Sequence, residues 1–104
     1  MRPDIAQLMQ QAQRMQDNLK RVQEELAVLE VNGQSGGGKV AITLTGKMEC
    51  RRVRIDPSVL DDADMLEDLV AAAFNDAVAN ANEEARKRTS AATGGMQLPS
   101  GMGF

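Results

Sequence analysis

Apolar residues recur at Ile5, Leu8, Ala12, Met15, Leu19, Val22, Leu26 and Leu29 in alternating steps of three and four. This heptad seam predicts one long helix whose narrow apolar stripe must pack against another helix. Pro3 suits the first turn of such a helix. The other faces carry Gln, Asn, Arg, Lys and Glu, so most of the circumference is solvated and the helix can project from the body as an arm. A chain of 104 residues makes one domain at most. It buries only about two-thirds of its unfolded surface, which favours a second copy as a source of core.

After Leu29 the hydrophobic period changes from helical to alternating. In "KVAITLTGKMECRRVRIDP" Val40, Ile42 and Leu44 share one face of a strand, and Val53 and Ile55 share one face of the next. A four-residue loop over Gly46 to Glu49 pairs Ile42 with Val53 and Val40 with Ile55, the register that aligns the most apolar pairs. The opposite face then presents Ala41, Thr43, Thr45, Cys50, Arg52 and Arg54. With "LEVNG" as a further short strand, the sheet is a three-stranded antiparallel meander. Pro57 ends it.

A second long helix follows in "DDADMLEDLVAAAFNDAVANANEEARKR". Asp61, Asp62, Asp64, Glu67 and Asp68 crowd its start and Arg86, Lys87 and Arg88 close it, matching the helix dipole at both ends. Its alanine-rich face allows close approach, and the seam of the first helix is the obvious surface for it. The expected fold is α+β, an αβββα unit over residues 1–88 with two long helical arms. Residues 89–104 read as a Gly- and Met-rich tail in which Met96, Leu98, Met102 and Phe104 form a potential docking segment.

Several chemistries are disfavoured. There is no histidine, the commonest general base near neutral pH and the commonest metal ligand. Trp and Tyr are absent and Phe74 lies far from Phe104, so no aromatic platform for single-stranded bases is visible. "GQSGGGKV" approximates a phosphate-binding loop, but that loop needs a strand before it, a helix after it, and Ser or Thr where Val40 stands. Its glycines read instead as a strand-to-strand loop needing positive φ, with Lys39 as at most one more positive charge. Asp64 and Asp68 share a helical face, yet no nucleophile or histidine completes a site. No enzyme, cofactor or metal is expected. Cys50 cannot form an internal disulfide and reads as a half-buried structural thiol. No apolar run reaches the roughly 18 residues of a membrane span and no secretory leader is visible, so the expected address is the cytoplasm.

Charge distribution says more than net charge. The chain is at −3 overall. Residues 1–54 nevertheless carry nine Lys/Arg against six Asp/Glu, and the remainder three against nine. Arg14, Lys20 and Arg21 lie within two turns of the first helix, and Arg51, Arg52 and Arg54 lie on one strand. Such runs taken alone are more often solvated faces or dipole partners than a nucleic-acid surface.

The blocks "LMQQAQRMQDNLKRVQEELAVLEVNGQSGGG", "CRRVRIDPSVL" and "MLEDLVAAAFNDAV", in this order and followed by "GGMQLPSGM", closely resemble the bacterial YbaB/EbfC nucleoid-associated proteins. The resemblance covers nearly the whole chain. It implies a cytoplasmic, nucleoid-bound, tweezer-like homodimer whose arms hold double-stranded DNA. Carried over residue by residue, it points to Arg14, Lys20 and Arg21 on the first arm and to Arg86, Lys87 and Arg88 at the end of the last helix, with Arg52 and Arg54 on the sheet ranking behind them. Contacts of this kind meet phosphates and read base edges little. The alternative reading is a protein-interaction module that uses the heptad helix and the tail to bind a replication or repair partner.

Overall fold

Asp4 opens the first helix by accepting the Ala6 amide at 3.0 Å through Oδ1, an N-cap that satisfies one of the helix's orphan donors. The computed structural model describes residues 4–94, with α1 at Ile5–Val28, β1 at Glu30–Ser35, β2 at Val40–Thr45, β3 at Cys50–Ile55, a 3₁₀ turn at Pro57–Val59 and α2 at Ala63–Ala92. The three strands form one antiparallel sheet in the order β1-β2-β3. This is the αβββα, α+β arrangement expected from the sequence. The tail residues Met96, Leu98, Met102 and Phe104 lie outside the described part.

The register between β2 and β3 pairs Val40 with Ile55 and Ile42 with Val53, as the apolar pattern requires. A bulge between Thr43 and Leu44 then shifts the ladder, so that Leu44 faces Cys50 and Arg51 becomes the extra residue. Paired residues share a face, so the bulge takes Cys50 out of the series Arg52, Arg54. Cys50 is also exposed, which corrects the half-buried thiol expected from its strand-like neighbours: β3 is an edge strand that no helix covers. Between β1 and β2 the chain turns through Gly36, Gly37 and Gly38, all with φ between 60° and 94°. The glycines of "GQSGGGKV" thus serve the turn between two strands.

The core lies between the sheet and α2. Val40, Ile42, Leu44, Ala73 and Ala77 are buried together, with Leu66, Leu69, Val70 and Val78 packed around them. Helix α2 meets β1 at Gly33, where an added Cβ would lie 2.5 Å from both the Ala73 carbonyl oxygen and the Ala77 Cα, and closer still to the Ala77 amide nitrogen. Around this contact the Gln34 amide donates to Asp76 Oδ2 at 2.9 Å, Ser35 Oγ donates to the Leu69 carbonyl at 2.6 Å, and Asn80 Nδ2 donates to the Asn32 carbonyl at 2.9 Å. The principal partner of α2 is therefore the sheet.

Only the last part of α2 meets α1. Arg88 Nη1 reaches Glu25 Oε2 at 3.2 Å, and the buried seam residues of α1 are Val22 and Leu26 alone. The order of contacts, Leu69 with Ser35, Asp76 with Gln34, Asn80 with Asn32 and Arg88 with Glu25, shows α2 running antiparallel to the α1–β1 segment. Past that overlap α1 continues without a neighbour among the described residues. The extents of 72 × 24 × 17 Å and radius of gyration of 19.3 Å reflect this, since a compact chain of this length has about 13 Å. The second helix also runs to Ala92, beyond the basic run that the sequence marks as its end.

Gly33→Ala should lower stability by about 3 kcal/mol, because both partners of the new methyl are helix backbone and cannot step aside. Urea unfolding followed by circular dichroism measures this. A loss below 1 kcal/mol would show that the helix can lift from the sheet.

Candidate nucleic-acid interface

Two surfaces hold cations in the open. On the sheet face turned away from α2, Arg52 pairs with Thr43, which pairs with Asn32, and Arg54 pairs with Ala41, which pairs with Gln34. Thr43 Oγ1 donates to Asn32 Oδ1 at 2.7 Å, which holds the middle of this face in place. No carboxylate lies in either row. Arg52 and Arg54 are exposed and stand two residues apart on one strand, so their Cα atoms are about 6.7 Å apart. The nearby acids, Glu30 on β1 and Glu49 in the β2–β3 loop, sit at the far end of the sheet beside Thr45.

The second surface is α1. Arg14 and Arg21 are seven residues apart, so they lie on one face about 10.5 Å from each other along the axis. That face is turned away from the Val22–Leu26 seam. Arg21 Nη2 donates to Asn18 Oδ1 at 3.2 Å, a neutral partner. Lys20 projects from a different side and is exposed. Asp17 and Glu24 share the solvated surface, with Gln13 Nε2 donating to Asp17 Oδ1 at 3.1 Å. The arm is consequently mixed in sign, whereas the sheet face is not.

The basic run closing α2 is mostly engaged. Arg86 grips Glu83 through two bonds, Nη2 to Oε1 at 2.6 Å and Nε to Oε2 at 3.2 Å. The Arg86 hydrogen bonds hold the Glu83 carboxyl below its ordinary range, and the carboxylate in turn raises the Arg86 guanidinium. Arg88 bridges Glu84 at 3.3 Å and Glu25 at 3.2 Å. Within the run, Lys87 alone lacks a carboxylate partner among the described residues. The i,i+3 spacing of Glu83 and Arg86 and the i,i+4 spacing of Glu84 and Arg88 carry the signal for this pairing in the sequence; the Glu25 contact, 63 residues away in the chain, has no local signal.

The start of α2 is unlike either surface. A depression of about 450 Å³ is lined by Ser58, Asp61, Asp62, Ala63, Asp64 and Met65, and its charge repels phosphate. Asp62 caps α2 by accepting the Met65 amide at 3.1 Å. Asp56 accepts the Ser58 amide at 2.8 Å; that bond, aided by nearby Lys39, keeps its carboxyl below the ordinary range. Among the described residues no group of His, Cys, Asp and Glu could hold a metal ion. No helix among them is long and apolar enough to cross a membrane.

An α+β body with an exposed basic sheet face and a long charged arm has the build of a binding protein. The family of this chain is established by comparison: the YbaB/EbfC DNA-binding family matches residues 1–96, and the chain belongs to it. A nucleoid-associated protein of Xanthomonas campestris pv. campestris is 65% identical over 102 residues, 98% of this chain and 96% of that one. A nucleoid-associated protein of Xylella fastidiosa is 61% identical over 101 residues, 97% of this chain and 94% of its own. Among solved structures, an uncharacterized protein from Helicobacter pylori shares the fold with a TM-score of 0.70 at 24% identity, covering 83% of this chain and 92% of that chain.

The Glu83–Arg86 pair makes a pH prediction. Because the folded carboxyl is lowered from its ordinary 4.5, the contribution of the pair is fully present above that value and is lost as pH falls through the lowered one. Glu83→Gln should flatten this acid limb in urea midpoints measured from pH 6 downward. An unchanged slope would mean that the pair also persists in the unfolded chain.

Proposed function

We propose that two copies of this chain form a nucleoid-associated clamp that binds duplex DNA in the cytoplasm through phosphate contacts with weak sequence preference. The observation that carries this reading is the pairing state of the cations. Arg14, Lys20, Arg21, Arg52 and Arg54 are exposed and have no carboxylate partner among the described residues, so they are available to phosphate without first breaking an ion pair. Arg86 and Arg88 must give up Glu83, Glu84 and Glu25 to do the same, which makes Lys87 the leading contact from that run. The names of the Xanthomonas and Xylella relatives support the nucleoid as the place of action. Among the described residues no helix with a set of side chains for the major groove accompanies these cations, which favours backbone contact over base readout.

The dimer is supported by what α2 leaves open. The helix lies over β1 and β2, while Val53, on the same side of β3, is 48% exposed. Phe74, 44% exposed, falls with Val70 and Val78 on the side of α2 away from its Ser35 and Gln34 contacts. Together they make an apolar trough along the uncovered strand, the kind of surface that a monomer rarely exposes. A second copy seated there would close the unpaired edge of β3 as well.

Two experiments test these claims separately. Affinity for duplex DNA should fall steeply with salt, and Arg14→Glu with Arg21→Glu should weaken binding on every sequence and reduce the salt slope by about 1 for each phosphate contact removed. Salt-independent affinity, or none at low salt, overturns the phosphate reading. In mass measurement at micromolar concentration the chain should run at twice its 11.2 kDa, and Phe74→Glu should return it to one. A wild-type chain at single mass overturns the clamp.

A further inference from the structure

The seam of α1 is periodic from Ile5 to Leu29, but its partner is not. Val22 and Leu26 are buried and Met15 and Leu19 half-buried, whereas every residue from Ile5 to Arg14 is exposed. Ile5 is 72% and Leu8 50% exposed, with Met9 beside them at 68%. The reason is geometric. From the Arg88–Glu25 contact, α2 proceeds only to Ala92, about 6 Å at 1.5 Å per residue, while α1 extends about 30 Å to Ile5. The stripe Ile5, Leu8, Ala12 thus overhangs the end of α2.

This overhang is also chemically distinct from the rest of the arm. No charged residue lies between Ile5 and Gln13; the segment is "IAQLMQQAQ". A solvated helix face ordinarily carries charge, as residues 14–25 of the same helix do.

We propose that the segment 95–104 of the same chain, "GMQLPSGMGF", docks along this stripe and completes the arm. Three observations select this occupant. Helix α2 runs antiparallel to α1, so its end at Gly94 lies on the overhang side of the Arg88–Glu25 contact. The Gly94 φ of 70° ends the helix there, as a left-handed residue at a C-terminus does. Length agrees as well: Met15 to Ile5 is about 15 Å of helix, and residues 95–104 span up to about 33 Å when extended. Composition agrees too, since the segment has no charged side chain and offers Met96, Leu98, Met102 and Phe104. Methionines adapt to a shallow apolar stripe, and Met9 and Met15 face them with the same property. The proposal rests on the fold alone and survives a failure of the DNA reading.

Amide hydrogen exchange tests it in the full chain. Amides of residues 8–14 should exchange roughly tenfold or more faster in a chain ending at Gly94 than in the full chain, since covering the stripe suppresses local opening. Leu98→Asp in the complete chain should give the same loss, which separates docking from mere chain length. Protection that is unchanged by both alterations overturns the proposal. Protection that instead falls on dilution of the full chain assigns the stripe to a second copy and overturns it equally. A Cys50→Ser chain carrying Leu8→Cys and Leu98→Cys should, with a short bismaleimide, give an adduct at single-chain mass on a denaturing gel. Adducts only between chains, or none, overturn docking within one chain.

Discussion

The backbone contact between α2 and β1 at Gly33 is the constraint on which the rest of the molecule depends. A helix carried over a sheet on large side chains sits about 10 Å away, but here Gly33 and the alanines at 73 and 77 remove the spacers. The helix axis is drawn close to β1, and the flanking bonds from Gln34, Ser35 and Asn80 fix its direction as well as its height. Two consequences follow. With α2 pinned over β1 and β2, one helix is too narrow to cover β3, so Val53 and the strand edge remain open. With its direction fixed antiparallel to the α1–β1 segment, the end of α2 is committed to α1 and the two helices make one arm.

Much of this was legible in the sequence, and the reasons are local. Helix α1 follows from its 3-4 spacing, and the β2–β3 register follows from the demand that Val40 and Ile42 meet Ile55 and Val53. The glycine turn follows from positive φ. What escaped was set by long-range packing. The heptad seam predicts a helical partner along its whole length, yet the partner reaches only its C-terminal half, because the extent of overlap depends on where α2 is pinned to the sheet. Cys50 looked half-buried because alternation cannot show that a strand will lie at an uncovered edge, nor that a bulge at Thr43/Leu44 will shift its pairing.

The candidate site divides in the same way. The positions of Arg14 and Arg21 on one helix face, and of Arg52 and Arg54 on one strand face, need only the periods 3.6 and 2. Whether each guanidinium is free needs the tertiary structure. Arg88 spends its charge on Glu25 across the two helices, so the most basic-looking tripeptide of the chain is among its least available. The sheet face shows the reverse. Arg52 and Arg54 rank behind the arm residues in the family resemblance, yet they stand among Asn32, Gln34, Ala41 and Thr43 with no acid between them.

A chain at −3 overall attracts polyanions only if its charges are segregated, and the fold accomplishes this. The acids at the start of α2 are held at the end of the helix farthest from the arm tip, where Asp62 caps and Asp64 opens the first turn. They are needed there for helix stability and are spatially removed from Arg14. Because exposed charges are screened over about 8 Å at physiological salt, the field at Arg14 and Arg21 is set by the charges of the arm itself, Lys20, Asp17 and Glu24 among them, and not by the acids at the start of α2. The elongated shape and the electrostatics are therefore linked: shortening the arm would bring Arg14 and Arg21 back into the field of the acidic end.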